Sequence, residues 1–320
     1  MTAPARAASL PARVRIYEVG PRDGLQNEAT AIPTADKARF IELLVAAGLR
    51  EIEATSFVRP DRIPQLADAD DLLPLLPGGS GVRYPVLVAN ARGLARAADA
   101  GAHAIAVFTA ATDAFAERNI GMSVEASLGT FAPLLEEAAR RGWWRRAYVS
   151  AAFGCPYTGR VDPSVPVAVA RRLLDLGADE VCFGDTIGVA VPTAVEALTT
   201  AALEAGVPVD RIAHHFHDTR GTALANVVAA LRLGVTCFDA STGGTGGCPY
   251  APGAAGNLAT EDLVYLLDAE GIEHGVDLPR LLLAARFIAG VLGRPLSSKV
   301  GLAGGWDADT GQPTGRAPGT

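Results

Sequence analysis

Two histidines in one short run carry the clearest chemical signal in this sequence. His215 and His217 stand two residues apart in RIAHHFH, a run typical of a β-strand. On a strand they face the same side, about 6.6 Å apart along the chain, whereas His214 faces the opposite side. Two imidazoles on one face are suited to a divalent metal ion. The alternative interpretation is a pair of structural histidines at the rim of the fold.

A second set of reactive side chains follows the first expected strand, in EVGPRDGLQNE. Arg22 and Asp23 are adjacent and precede Gly24. A turn with a surface ion pair would explain Asp-Gly by itself. If the turn instead faces the histidine pair, Asp23 can join a metal site, and Arg22 can stabilise a developing negative charge.

The glycine-rich stretch GGTGGCPYAPGAAGN, at 243–257, follows the last expected strand. Glycines let a backbone pass close to a ligand and let a loop move as a lid. Cys248 lies on this loop, and an exposed thiol near a metal ion or an arginine can transfer protons, although a lone cysteine is usually inert. Asn257 stands where the loop meets the next helix. It is either the N-cap of that helix or, if Thr260 takes the cap, a free amide.

Together, four of these side chains form a mixed oxygen and nitrogen donor set. One carboxylate, two imidazoles and one amide oxygen favour Mg²⁺ or Mn²⁺ over Zn²⁺ or Co²⁺, because no thiolate is included. The predicted metal ligands are Asp23, His215, His217 and Asn257. Glu53 and Asp185 also lie at strand ends, where they either orient the catalytic groups or form salt bridges at the rim.

The elements that must position these residues alternate between short β-rich runs and Ala/Leu-rich helical segments. Several helical segments end at glycine, as a left-handed C-terminal cap requires. These glycines are Gly48, Gly101, Gly142, Gly177, Gly206 and Gly234. The eight expected strands span 13–19, 50–55, 83–89, 104–108, 146–153, 180–185, 211–217 and 237–242. Eight strand–helix units predict an α/β fold, a (β/α)₈ TIM barrel with extra C-terminal helices near 279–292. The alternative is an open doubly wound sheet, although the first turn lacks G-x-G-x-x-G.

Domain boundaries follow from the same pattern. We expect a disordered N-terminus at 1–12, a catalytic barrel with its C-terminal helices at 13–300, and a loose tail at 301–320. The first residues are rich in alanine and arginine, and a frayed terminus explains them better than a short transit peptide.

The composition and net charge of the chain limit the classes of partner that it can bind. The chain has 320 residues, 49% of them hydrophobic, and a net charge of −7. An acidic chain without a long basic run is a poor ligand for nucleic acid or an anionic membrane. It has no apolar run long enough to span a bilayer. Its four cysteines are too dispersed for a disulfide framework, which predicts a reducing, cytoplasmic setting.

Longer motifs make the sequence similar to a known family. EVGPRDGLQNE, EATSFV, VFTAATDAFAERNI, YVSAAFGCPYTGRV, FGDTIGVA, HFHDTRGTALAN and GGCPYAPGAAGNLATEDLVYLL resemble the 3-hydroxy-3-methylglutaryl-CoA (HMG-CoA) lyase family over roughly residues 13–300. The resemblance implies a metal-dependent barrel that cleaves HMG-CoA to acetyl-CoA and acetoacetate, with roles in leucine degradation and ketone-body formation.

The resemblance also implies roles for individual residues. It places Asp23, His215, His217 and Asn257 at the metal. The cleavage would also need a base, and Asp23, His215 or a metal-bound water is the candidate. Arg22 matches the catalytic arginine and Cys248 the loop cysteine. The supporting or substrate-binding positions that the resemblance implies are Gln26, Glu53, Asp185 and Glu261.

Two departures from the family lie near the expected active site. RPDRIPQLAD follows SFV where the family more often has a Ser-Pro-Lys pattern. STGGTGG precedes the cysteine loop where the family has a more apolar segment. A related 3-hydroxyacyl-CoA substrate therefore stays an alternative. So does a Claisen-type condensing enzyme like isopropylmalate or homocitrate synthase, although Leu25 stands where those enzymes have glutamate.

The partners expected are a small acyl-CoA and a second copy of the chain in a homodimer. Because CoA carries phosphates and the chain is acidic, a local basic group must bind them. The candidates are Arg59, Arg62, Arg118 and Lys299.

Overall fold

Parallel strands surrounded by helices form the centre of the fold. The computed structural model describes residues 10–79, 81–247 and 256–306, and the backbone at 313–314. The strands are β1 Arg15–Glu18, β2 Glu51–Ile52, β3 Thr55–Ser56, β4 Val86–Leu87, β5 Ala104–Ala110, β6 Trp144–Ser150, β7 Gly154–Cys155, β8 Gly159–Arg160, β9 Glu180–Asp185, β10 Ile212–Phe216, β11 Cys237–Ala240, β12 Gly305–Trp306 and β13 Pro313–Thr314. The helices are α1 Thr34–Ala46, α2 Ala69–Leu72, α3 Ala91–Asp99, α4 Asp113–Ile120, α5 Val124–Arg140, α6 Ser164–Asp175, α7 Pro192–Glu204, α8 Ala223–Arg232, α9 Thr260–Ala269, α10 Leu278–Leu292 and α11 Lys299–Ala303.

The main sheet closes into a barrel at the stretch of chain that carries β2 and β3. Its order is β2-β1-β11-β10-β9-β6-β5-β4-β3, and all of its pairs are parallel. The terminal strands β2 and β3 belong to one stretch of chain. Within it, Glu53 N donates to Glu18 O at 2.9 Å, and Ala54 N donates to Pro85 O at 3.0 Å. The stretch that carries β2 and β3 therefore bonds to β1 on one side and to the chain at β4 on the other, which closes the barrel. The predicted (β/α)₈ TIM barrel is confirmed, and the open doubly wound sheet is wrong.

Side chains alternate between the two faces of the barrel strands and therefore form two separate apolar regions. A small cluster lines the inside of the barrel, and a larger one fills the layer between strands and helices. On β10, Ala213 belongs to the inner cluster, whereas Phe216 belongs to the outer one. His214 faces outward, where it bonds to Thr199 on α7 at 3.0 Å and stacks on Phe216. His215 faces the barrel interior, as its position in the strand predicts.

Glycine ends the helices where the sequence predicted it. At Gly48 (φ 104°), an added Cβ would lie 2.1 Å from Gly275 O, so a larger residue is excluded by conformation and by space. Positive φ also occurs at the other five predicted cap glycines, Gly101, Gly142, Gly177, Gly206 and Gly234. The predicted C-terminal helix is α10, where Asp277 caps the first turn through Arg280 N and donates its own N–H to Ala47 O at 2.7 Å.

The described elements extend past the predicted boundary at residue 300. That boundary falls inside α11, and β12 pairs with β13 in an antiparallel hairpin. Asp262 on α9 fastens α11, because it accepts bonds from Ser298 Oγ at 2.9 Å and Val300 N at 2.8 Å. Among the helices described, none is long and apolar enough to cross a membrane.

Candidate active site

A tight turn after β1 presents the first reactive side chains. Gly20–Gly24 form one π-helical turn, in which the N–H groups of Asp23 and Gly24 donate to Val19 O at 2.8 and 3.1 Å. A Cβ at Gly24 would lie 2.3 Å from Thr245 Oγ1, so glycine lets this turn approach the segment after β11.

Two carboxylates, one buried and one half-buried, hold the guanidinium of Arg22. The residue is 8% exposed; its Nε donates to Glu53, and its Nη1 donates to Asp23 Oδ1 at 2.8 Å. Glu53 Oε2 also accepts the hydroxyls of Tyr17 at 2.9 Å and Tyr148 at 2.7 Å. Burial alone would lower the pKa of Arg22, but Glu53 and Asp23 outweigh it and raise the pKa above the usual value. The guanidinium therefore stays charged and is fixed from two sides.

Three of the four predicted metal ligands converge at the carboxyl end of the barrel. One donor atom from each of Asp23, His215 and His217 lies within 4.8 Å of the others. The two imidazole rings are 5.1 Å apart, centroid to centroid. The fourth, Asn257, is brought beside His217 by a backbone bridge between the two residues.

The donor set fits a divalent cation. Asn257 Nδ2 donates to Asp23 Oδ2 at 2.8 Å and to Thr245 O at 3.0 Å, which orients the amide. Within the described part of the chain, its Oδ1 and the Nδ1 of His217 are buried without a hydrogen-bond partner. A buried acceptor left unpaired is costly, and a cation would satisfy it. Carboxylate and amide oxygens with imidazole nitrogens suit Mg²⁺ or Mn²⁺.

The charges around this cluster keep its carboxylate ionised. Burial alone would raise the pKa of Asp23, but Arg22, His215 and the bond from Asn257 together hold it at about 2. Burial, together with the neighbouring His215, lowers the pKa of His217 to about 3. An ionised carboxylate and a neutral imidazole are the forms that bind metal ions.

The sequence interpretation missed two residues beneath the cluster, Asp239 and Arg146. His215 Nδ1 lies 3.1 Å from Asp239 Oδ2, and Arg146 Nη2 donates to the other oxygen of that carboxylate. Burial alone would raise the pKa of Asp239, but Arg146 and the bond with His215 hold it below its usual range. A signal was available, because both residues occupy inward positions of predicted strands, where a charged side chain requires a buried partner.

The other predicted supporting residues differ in position. Gln26 lines the cavity and donates from Nε2 to Asp23 Oδ1 at 2.7 Å. Asp185 instead holds its own loop, because it accepts from Val189 N at 2.8 Å and Ala190 N at 3.1 Å. Burial raises the pKa of Asp185 to about 6.

Glu261 binds the backbone at the start of the glycine loop. Both of its carboxylate oxygens lie 2.9 Å from Gly243 N, which donates to them. Glu18 holds the preceding residue, because it accepts from Thr242 N and Thr242 Oγ1, both at 2.8 Å. Two buried carboxylates therefore fasten the start of the loop.

The two ends of the glycine loop meet beside the cluster. Gly246 and Gly247 line the cavity, and a Cβ at Gly256 would lie 2.1 Å from Gly246 O. Cys248 lies outside the described residues, so its predicted role stays a prediction.

One cavity is lined by three of the four predicted metal ligands and by several basic side chains. Its volume is about 1220 Å³, and its lining includes Arg22, Asp23, His215 and His217. Three of the four side chains predicted to bind CoA phosphates also line it, Arg59, Arg62 and Arg118, together with Arg294, which was not predicted. Lys299 is outside this lining and pairs with Asp218.

Comparison with known proteins agrees with this geometry. A curated relative from Rattus norvegicus, named hydroxymethylglutaryl-CoA lyase, mitochondrial, is 48% identical over 292 residues, which cover 91% of this chain and 90% of the relative. A solved structure of hydroxymethylglutaryl-CoA lyase from Pseudomonas aeruginosa matches with a TM-score of 0.90 and 46% identity, over 92% of this chain and 98% of that one. An HMG-CoA lyase from Acinetobacter baumannii, solved in complex with coenzyme A and 3-methylmalate, matches with a TM-score of 0.87 and 34% identity, over 95% and 97% of the two chains. The HMGL-like family model matches residues 13–288. The chain therefore belongs to the HMGL-like family.

Proposed function

We propose that this chain is a lyase that cleaves HMG-CoA to acetyl-CoA and acetoacetate with the help of a divalent cation. The observation that carries the proposal is the convergence of Asp23, His215 and His217 in one cavity with a buried, charged Arg22 beside Asp23. Relatives that are 45–48% identical over about nine-tenths of the chain and are named as this lyase support it.

A cation in this site would be held by Asp23, His215, His217 and Asn257. Mg²⁺ or Mn²⁺ would polarise the 3-hydroxyl and a carboxylate oxygen of the substrate, which makes the hydroxyl more acidic. The buried, unpaired Asn257 Oδ1 supports a cation in this position.

A base must remove the hydroxyl proton, and the surroundings of the two side-chain candidates favour one of them. Asp23, with a pKa of about 2, is a weak base. His215 is the stronger candidate through Nε2, because its Nδ1 is engaged by Asp239. Because one nitrogen cannot bind a cation and accept a proton at the same time, His215 would act as the base only while its Nε2 does not bind the cation.

Cleavage of the C2–C3 bond gives acetoacetate and the enolate of acetyl-CoA. Arg22 stabilises the charge that develops on the enolate oxygen, since its guanidinium is already fixed and needs no rearrangement. Cys248 then supplies or relays the proton to the enolate carbon, while the glycine loop excludes water.

The direct test is to incubate the purified chain with HMG-CoA and Mg²⁺. We expect acetyl-CoA and acetoacetate in equal amounts, with no requirement for an α-keto acid. A condensing enzyme would instead consume acetyl-CoA and an α-keto acid. A panel of 3-hydroxyacyl-CoA thioesters that differ at C3 tests the alternative of a related substrate, because a better substrate in that panel would replace HMG-CoA.

Arg22→Gln separates a lyase from a non-catalytic metal-binding barrel. We expect kcat to fall about 10²–10³-fold, as for one lost oxyanion donor. Cys248→Ser tests the proton relay, and full activity in that variant would remove Cys248 from the mechanism.

The remaining parts of the proposal concern the setting of the enzyme. We propose a cytoplasmic homodimer with roles in leucine degradation and ketone-body formation, built on one catalytic barrel at 13–300. Most of the predicted N-terminal segment at 1–12 and most of the predicted tail at 301–320 lie outside the described residues. Supporting observations are the spacing of the cysteines and the continuous apolar layer that packs the helices on the barrel strands. Cell fractionation and size-exclusion chromatography with light scattering test the compartment and the dimer.

A further inference from the structure

We propose that Asp239 is a positioning residue for His215: its carboxylate, fixed by Arg146, accepts the Nδ1 proton and turns Nε2 toward the cavity. The inference rests on the proposed metal site, and it adds a residue that none of the motif interpretations included.

Strand register places the two groups side by side. β10 and β11 are parallel neighbours, and His215 is the register partner of Asp239. Both side chains face the barrel interior, so they meet directly, with His215 Nδ1 3.1 Å from Asp239 Oδ2. Asp239 is 1% exposed, and water therefore does not compete for this contact.

The carboxylate cannot turn away, because its other oxygen is occupied. Arg146 Nη2 donates to Asp239 Oδ1, and both side chains are fully buried. The guanidinium of Arg146 is itself stacked on Tyr17, with Cζ 3.7 Å from the ring centroid. An ionised carboxylate paired with arginine is only an acceptor, so the proton shared with His215 belongs to Nδ1.

The neighbouring histidines lack this arrangement. His217 Nδ1 has no hydrogen-bond partner among the described residues. His214, on the outer face of the same strand, meets the neutral hydroxyl of Thr199 at 3.0 Å. Of these three adjacent histidines, only His215 has a buried carboxylate behind its ring. Such a partner fixes the tautomer and orientation of a ligating histidine and raises its basicity.

Asp239→Asn tests this arrangement with almost no change in shape. Arg146 and His215 bond to different oxygens of Asp239, and asparagine keeps only one of the two. If that oxygen faces Arg146, the NH₂ group faces His215 Nδ1, which then has no acceptor for its proton. We expect Mn²⁺ affinity, measured by electron paramagnetic resonance titration of the purified chain, to fall about 10–100-fold.

Thr199→Val is the matched control. It removes the partner of a buried ring nitrogen on the same strand, but on the face away from the cavity. We expect it to lower the melting temperature without changing Mn²⁺ affinity. If Asp239→Asn binds Mn²⁺ like the wild type, or if Thr199→Val weakens binding equally, the inference is overturned.

A second measurement needs neither the Asp239→Asn variant nor a bound metal. ¹⁵N spectra of histidine-labelled wild-type protein at pH 9, assigned with His215→Gln, report which nitrogen carries the proton. A proton on Nδ1 of His215 supports the inference, and a proton on Nε2 refutes it. If the wild type binds no Mn²⁺, the metal proposal fails, while this spectrum still decides the role of Asp239.

Discussion

Replacing Glu53 by glutamine tests how the barrel positions Arg22. Glu53 is fully buried and accepts three hydrogen bonds, from Arg22 Nε and from the hydroxyls of Tyr17 and Tyr148. Glutamine keeps the shape but offers one acceptor oxygen and no charge. Its amide oxygen can turn to Arg22 only if its NH₂ group meets the two phenols, which must then rotate to accept.

The expected loss follows from the bond that changes. A hydrogen bond to a charged group contributes about 1.5–3 kcal/mol, and each 1.4 kcal/mol corresponds to a factor of ten. Because Arg22 acts on charge that exists only in the transition state, we expect kcat to fall about 10–150-fold while KM changes little. Acetoacetate release over a range of HMG-CoA concentrations measures both constants, and thermal unfolding measures stability separately.

Tyr17→Phe is the control for the same cluster. It removes one hydroxyl donor from Glu53 but leaves the contact between Glu53 and Arg22 intact. We expect it to lower stability by about 1 kcal/mol and to leave kcat within about threefold of the wild type. If Glu53→Gln keeps full activity, or if Tyr17→Phe loses as much activity, Glu53 does not act through Arg22.

Three further outcomes are expected. Dialysis against a chelator should abolish activity, and Mg²⁺ or Mn²⁺ should restore it; full activity in metal-free protein would contradict the cation site. Gly256→Ala, whose Cβ would lie 2.1 Å from Gly246 O, should destabilise the fold by about 1–3 kcal/mol in urea unfolding. Gly247→Ala, whose Cβ would meet no described atom within 4 Å, should cost less than about 0.5 kcal/mol. Burial raises the pKa of Glu261 to about 8, so its stabilising contribution is complete below the unfolded value of 4.5 and is lost as pH rises toward 8. The stability advantage of wild type over Glu261→Gln should therefore shrink with pH by up to about 1.4 kcal/mol per unit, and a constant difference would argue against the shift.

Local pattern was sufficient for the elements and for part of the site. Alternating strand and helix signals with cap glycines predicted the barrel, because those signals depend on residues close together in sequence. The two-residue spacing of His215 and His217 placed both rings on one face for the same reason. The adjacent pair of Arg22 and Asp23 was also visible in the sequence, as a turn after a strand.

Contacts between distant segments could not be predicted from local sequence patterns. The bond from Asn257 to Asp23 joins residues 234 apart, and the bond from Arg146 to Asp239 joins residues 93 apart. Nothing local indicates that Glu53 faces Arg22 while Asp185 turns back on its own loop. The break between β2 and β3, which leaves Glu53 in the gap, is likewise a result of closing the sheet.

The sequence by itself therefore determined the kind of fold and the residues able to do chemistry, since periodicity and residue type are local properties. Only the tertiary structure decided which buried charges meet. The reason is physical: closing the barrel brings β1 beside β11, and the register between neighbouring strands then selects which inward side chains lie opposite each other.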